Sequence, residues 1–194
     1  MKKHNVSLGI EPADPYKKFL ELIVYDWAGV SDNIAYHLSY LEYLYQLMRE
    51  LPLKSYPVLN GLRLKTIIGE IASCVEVLLY DAVVHLSVVD AWGTKKKMTL
   101  DTRVGFRVLL AYAFMFGVVN KPLNDRIHKL FDLRNKIHLT HGKRDPYIFN
   151  DSLLKDSEKT LEDLFRHFVR NRQRNISGRV PISEKDILLP WNRI

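Results

Sequence analysis

Residues 67–82, "IIGEIASCVEVLLYDA", form a helical pattern that is apolar on nearly every side. The apolar side chains recur at intervals of three and four residues, and they are Ile67, Ile71, Val75, Leu78, Leu79 and Ala82. A helix that is hydrophobic all round is covered by other elements rather than exposed to water. The sequence therefore predicts that a helix from about Leu59 to Val89 lies at the centre of the fold.

Four further helices are predicted around this central one. Their expected ranges are Tyr16 to Glu50 with a break near residues 28–32, about Asp101 to Val119, Pro122 to Gly142, and about Ser152 to Arg174. Proline suits the first turn of a helix, and glycine suits the position after the last turn. The pattern is typical of an all-α protein, an antiparallel bundle of about five helices in a single domain of 194 residues.

Composition indicates a soluble, cytoplasmic protein that does not associate with membranes. The hydrophobic share is 47%, and the single cysteine, Cys74, cannot form an intramolecular disulfide and is expected to be buried. An amino-terminal arm at residues 1–15 lacks the apolar stretch of a signal peptide. The tail at residues 176–194 has apolar side chains but little periodicity, so we expect it to pack on the body or on a partner.

The net charge of +7 is concentrated in the second half of the chain. Between Lys121 and Arg179 there are fourteen Lys and Arg against eight Asp and Glu, and "RHFVRNRQRNISGR" has five arginines and no acid. Such a patch attracts a polyanion through counterion release. The predicted RNA-binding residues are Lys136, Lys143, Arg144, Arg170, Arg172 and Arg174. The alternative is a solvated helix end whose arginines complement the helix dipole.

Residues 132–144, "DLRNKIHLTHGKR", are the best candidates for catalysis. Arg134, His138 and His141 share one side of a helix, with Asn135 next to it, and the opposite side is expected to face the core. Two imidazoles can act as general base and general acid on a phosphodiester, and a guanidinium can stabilise its developing charge without a metal ion. Alternatively, the arginine and asparagine bind neighbouring elements and the histidines cap the helix.

This motif resembles that of HEPN domains (higher eukaryotes and prokaryotes nucleotide-binding), and the resemblance extends over about residues 59–174. It implies an antiparallel helical bundle that forms homodimers and acts as a metal-independent endoribonuclease in toxin-antitoxin, CRISPR or phage-defence settings. It also implies that Arg134 and Asn135 are catalytic together with a following histidine. His138 leaves three intervening residues and His141 leaves six, whereas the commonest family spacing would place histidine at Leu139.

Two acids on the central helix, Glu76 and Asp81, are expected to lie near the fourth helix and to bind its arginine or histidine. Asp81 also shares approximately one face with Cys74 and His85. One cysteine and one histidine without a second pair make a poor zinc site. The sequence therefore predicts a supporting role for the acids, and no metal or other cofactor.

Three functions from different classes are compatible with these features. The first is a HEPN-type endoribonuclease with RNA as substrate, a second copy of the chain as partner, and an antitoxin or effector protein as a further expected partner. The second is a catalytically silent HEPN-like module that binds RNA or a nucleotide through the same basic strip. The third is a helical subunit of a larger effector complex, to which the apolar tail docks.

Overall fold

The computed structural model describes most of the helical part of the chain. Its described residues are 16, 19, 20, 23, 24, 30–51, 55–89, 104–138, 149–175, 185 and 187–193. The side chains of residues 85–89, 137–138 and 171–175 lie outside this description, although their backbone is helical. The expected arm at residues 1–15 and the helix end expected at Gly142 also lie outside it.

The described residues form five α-helices and no strand, which confirms the predicted all-α fold. The elements are α1 (Val30–Glu50), α2 (Pro57–Val89), α3 (Phe106–Met115), α4 (Lys121–His138), α5 (Asp151–Asn175) and a 3-10 turn (Pro190–Asn192). In this part of the chain, no helix is both long enough and apolar enough to cross a membrane.

Helix α2 lies at the centre of the bundle, because it contacts α1, α3, α4 and α5. Its completely buried side chains include Ile67, Ile71, Val75, Leu78 and Leu79. Cys74 is buried among them, and burial raises the pKa of its thiol. The central position predicted for the second helix is therefore confirmed.

Helix α3 is shorter than the sequence predicts, since it begins at Phe106 and ends at Met115. The end is set by Gly117, which has a φ of 71°, a conformation that favours glycine. The Gly117 and Val118 amides donate to the carbonyls of Phe114 and Ala113, which is the Schellman arrangement of helix ends. Residues 118–119 therefore lie beyond the helix, although their apolar side chains continue its pattern.

A capping residue begins the next helix, α4. The Asn120 side-chain oxygen accepts a hydrogen bond from the Leu123 amide at 3.0 Å. This bond satisfies one of the amides that have no partner in the first helical turn. The buried face of α4 consists of Leu123, Ile127, Leu130, Phe131 and Leu133.

The carboxyl-terminal segment packs on the body of the chain itself. Leu189 is 1% exposed, and Ile187, Leu188 and Trp191 pack against the core. The Trp191 ring lies 5.8 Å from that of Tyr45 on α1. The tail is expected to pack either on the body of the chain or on a partner, and residues 187–193 pack on the body.

Polar contacts fix this segment to α1 at Glu42. The Glu42 carboxylate accepts from the Arg193 guanidinium at 3.0 Å and from the Tyr16 hydroxyl at 2.9 Å. One turn along α1, Tyr45 donates to Glu158 of α5. Burial raises the pKa of Glu158, and the hydrogen bond from Tyr45 opposes that shift. The segment therefore packs on α1 beside the place where Tyr45 of α1 binds Glu158 of α5.

We expect Leu189→Ala to lower the free energy of unfolding by about 2–4 kcal/mol, because it removes a buried side chain and leaves a cavity. Asn192→Ala is the matched control in the same segment, and its exposed side chain should contribute less than about 0.5 kcal/mol. Urea denaturation followed by circular dichroism measures both values. Equal and small losses would show that the segment does not contribute to the core.

Candidate nucleic-acid site

Arg134 lies near the carboxyl end of α4, and its side chain reaches across to α2. Its Nη1 donates to Glu76 Oε2 at 2.5 Å, and the two side chains are 28% and 33% exposed. The guanidinium carbon lies 5.3 Å from the centre of the Phe131 ring. The guanidinium is therefore held by a carboxylate and an aromatic face while part of the side chain remains in contact with solvent.

Glu76 is positioned by the central helix, where its neighbours Val75 and Leu78 are completely buried. A carboxylate beside apolar surface needs a hydrogen-bond partner, because desolvation disfavours its charge. Arg134 supplies that partner. Of the two acids expected to bind a motif residue, Glu76 contacts Arg134, whereas Asp81 is buried on α2 with interactions of its own.

An aromatic support beneath Arg134 comes from α3 and α4. The Phe131 ring is buried and stacks with the ring of Phe106 at the start of α3. Rings stacked in this way limit the positions open to a guanidinium that lies over them. Sequence reasoning did not assign either phenylalanine to the site. The sequence feature that predicts the contact between Phe131 and Arg134 is their i, i+3 spacing, which places both on one side of a helix.

Arg134 does not lie opposite the buried face of α4, where the sequence predicts it. Arg134 contacts Phe131, which belongs to the buried face, so it lies at the rim of the core. Asn135 and Lys136 are exposed, and Lys136 follows Arg134 by about 200° around the helix. The expectation of a separate polar strip is therefore wrong for Arg134.

Several predicted site residues lie wholly or partly outside the described structure. His138 is the last residue of α4, one helical turn beyond Arg134, and its side chain is not described. The same applies to the side chains of Arg172 and Arg174 in α5, and to all of His141, Lys143 and Arg144. The catalytic roles of the two histidines therefore remain predictions.

Arg170 lies at the other end of α4 from Arg134. It lines a cavity with Leu123 near the start of α4, whereas Leu133 lines another cavity with Leu153 near the start of α5. Helices α4 and α5 are therefore antiparallel. The eleven residues between positions 123 and 134 correspond to about 16 Å along α4. Lys136 and Arg170, the two predicted RNA-binding residues whose side chains are described, consequently lie toward opposite ends of α4.

A histidine-carboxylate pair on another side of α2 was not identified from the sequence. His37 Nδ1 of α1 lies 2.6 Å from Glu70 Oε2 of α2, and both side chains are partly exposed. Glu70 and Glu76 are six residues apart, about 240° around the helix, so the two pairs face different directions. Among the described residues, no group of three or more His, Cys, Asp and Glu could hold a metal ion.

No family model, curated protein or solved structure matches this chain. The contacts of Arg134 are therefore the basis on which a function can be inferred. A partly exposed guanidinium with a fixed orientation suits a planar or tetrahedral oxyanion, because its N–H donors match carboxylate and phosphate oxygens.

We expect the Arg134–Glu76 pair to contribute about 1 kcal/mol or less of coupling energy to folding, because both side chains are about one-third exposed. A double-mutant cycle with Arg134→Ala and Glu76→Ala measures that coupling by urea denaturation. The exposed Lys121–Asp125 pair, at 3.3 Å on the same helix, is the reference cycle and should give about 0.5 kcal/mol or less. A coupling above about 3 kcal/mol would identify Arg134 as a structural residue.

Proposed function

We propose that this chain is a metal-independent endoribonuclease of the HEPN type. The observation that supports this proposal is the fixed position of Arg134, between Glu76 and Phe131 and one turn before His138. A free arginine loses about 2 kcal/mol of side-chain entropy when it is ordered. Because folding already orders Arg134, that cost does not fall on the reaction, as electrostatic stabilisation of a transition state requires.

Each motif residue has a role in this proposal. His138 and His141 provide the general base that takes the ribose 2′-hydroxyl proton and the general acid that protonates the leaving 5′-oxygen. Arg134 stabilises the negative charge on the phosphorus oxygens, and the exposed Asn135 donates a hydrogen bond to the same group. Glu76 is a positioning residue, because it acts through Arg134.

The ion pair with Glu76 is compatible with this role of Arg134. A guanidinium has five N–H donors, and the hydrogen bond from Nη1 to Glu76 uses one of them. The others can bind phosphate oxygens from the partly exposed side of the group. The substrate therefore does not need to displace the carboxylate completely.

A catalytically silent RNA-binding module is the second candidate, and the same ion pair favours it. The Glu76 carboxylate cancels part of the positive charge that Arg134 would offer to a transition state. The third candidate, an assembly subunit with a free apolar tail, has less support, because residues 187–193 already pack on the body.

The nuclease proposal also includes partners and a setting. We infer that the chain acts on RNA in the cytoplasm, in a toxin-antitoxin or phage-defence system, and that an antitoxin or effector protein restrains it. The open reading frame adjacent to its gene tests this setting, because a nucleotidyltransferase or another defence gene there would supply the restraint.

Substitution of the motif residues tests the catalytic proposal. We expect His138→Ala to abolish cleavage of single-stranded RNA in the presence of EDTA, because His138 lies one turn from Arg134 and forms the catalytic pair with it. We expect His141→Ala only to reduce cleavage, because His141 assists by substrate contact or by proton transfer from the partner chain. Wild-type products should carry 2′,3′-cyclic phosphate and 5′-hydroxyl ends. Arg134→Ala should abolish cleavage and keep most of the RNA affinity, because its contribution arises in the transition state.

Arg49→Ala, which removes an exposed arginine on α1, is the matched control and should cleave like the wild type. Undiminished cleavage in both histidine variants would exclude these histidines from catalysis. If Arg134→Ala instead lost affinity and cleavage in parallel, the silent-module proposal would replace the nuclease.

The proposed homodimer has an apolar surface available on α3. The exposed residues of α4 are mostly polar or charged, whereas α3 exposes Val108, Phe114 and Met115. Apart from Arg107, the exposed residues of α3 are apolar, and an exposed apolar patch of this kind is typical of a protein–protein interface. We therefore expect α3 to contribute the apolar part of a dimer interface and α4 to lie beside it.

Sedimentation velocity tests this arrangement. Val108→Asp with Met115→Asp should convert a dimer into a monomer and reduce RNA cleavage, because a charge in an apolar interface is desolvated without a partner. Tyr36→Asp, at an exposed aromatic on α1, is the control and should remain dimeric. In this proposal each chain of the dimer contributes its motif to one active site, so a wild-type monomer with full cleavage activity would contradict it.

A further inference from the structure

A groove runs between α4 and α5. It consists of two cavities of about 240 and 440 Å³, which share the side chains of Arg126 and Lys159 and are therefore adjacent. One extends along α4 toward Leu133, and the other extends toward the start of α4 and Arg170. The lining residues of α4 include Leu123 and Leu133, and at a rise of about 1.5 Å per residue the groove is at least about 15 Å long.

Cations line this groove along both of its helices. They are Arg126 and Lys129 from α4, and Lys159, Arg166 and Arg170 from α5. Arg166 and Arg170 are four residues apart on one side of α5, which separates them by about 6 Å along its axis. This interval is comparable to that between successive phosphates of an extended polynucleotide strand.

Among the described residues that line the groove, the acids are Asp156, Glu162 and Asp163, three against the five cations. Asp163 binds Arg126 at 2.5 Å and Lys159 at 3.5 Å, so it connects cations of the two helices. Glu162 binds Arg166 at 2.5 Å. These pairs keep long side chains at the groove, where an incoming phosphate can share their remaining donors.

We propose that this groove binds a single-stranded RNA segment through its phosphates and leads it along α4 toward the Arg134 end. The proposal rests on the proposed function, because it assigns the path of the RNA substrate. Packed helices have axes only about 8–10 Å apart, so the groove between them is too narrow for a double helix. None of the described residues that line it is Phe, Tyr or Trp, and His167 is one imidazole at one end, so a continuous row of stacked bases has no platform there and the phosphates carry the contact.

The test is a binding measurement that is separate from cleavage. Fluorescence anisotropy follows a labelled 2′-O-methyl oligouridylate of about twelve nucleotides, which the enzyme cannot cleave, at several salt concentrations. The variant Lys129→Gln with Arg170→Gln removes one exposed cation from each cavity. Arg49→Gln with Lys65→Gln removes one cation from α1 and one from α2, outside the groove, and is the matched control.

We expect the groove variant to lose affinity at low salt by about tenfold or more and its log–log salt slope to become shallower by about 1.4, since each neutralised phosphate contributes about 0.7 in a single strand. The control variant should retain the wild-type values. Asp156→Asn should instead strengthen binding, because it removes an exposed acid from the groove, whereas Glu50→Gln on α1 should not. Oligouridylate and oligoadenylate should bind with similar affinity.

Equal losses in the groove and control variants would overturn the proposal, as would unchanged affinity in the groove variant. Competition by poly-glutamate at equal charge concentration would also overturn it, because the groove would then fit an acidic peptide. RNA cleavage by the wild type with unaltered affinity in the groove variant would reject the groove and leave the nuclease proposal standing. Binding in the groove without cleavage of any RNA would reject the nuclease proposal and leave the groove as an RNA-binding site.

Discussion

Helix α2 has to bury apolar side chains on nearly all of its sides, and the other helices take their positions from that requirement. It contacts α1, α3, α4 and α5, and its central residues are completely buried. Burial of this kind is not directional, so it brings helices together without fixing which residues meet. The acids on α2 determine which residues meet, because a carboxylate beside apolar surface needs a hydrogen-bond partner on the neighbouring helix. Glu70 meets His37 of α1, and Glu76 meets Arg134 of α4.

The candidate site follows from this arrangement. Arg134 is ordered because Glu76 needs a cation and because Phe131 offers a flat surface below it. The same contact that stabilises the junction of α2 and α4 thus leaves a partly exposed guanidinium whose other N–H donors can bind an oxyanion. Between α4 and α5, the cations of the groove are ordered by acids in a similar way. Ion pairs within the fold therefore order the cations at both candidate phosphate sites, at Arg134 and in the groove between α4 and α5.

The sequence predicts the central helix, the number of described helices and the binding of Arg134 by an acid of α2, because these depend on periodicity and on the cost of a buried charge. It does not predict the end of α3, because Gly117 lies within an apolar run whose pattern continues past it. The groove between α4 and α5 is missed for another reason. Along α5 its cations alternate with acids, and in the sequence this pattern is typical of a helix face in contact with water. Only the structure shows that the antiparallel α4 lies beside this face.

The central claim is that the ordered Arg134 side chain contacts RNA. Arginine Nε–Hε signals in a ¹H–¹⁵N spectrum report on it most directly, with the Arg134 signal assigned from its loss in Arg134→Lys. A saturating 2′-O-methyl oligonucleotide, which binds without being cleaved, should shift this signal, and Glu76→Gln should change its position before RNA is added. If saturating RNA shifts other arginine signals and leaves that of Arg134 unchanged, then Arg134 serves only the fold and the candidate site is wrong.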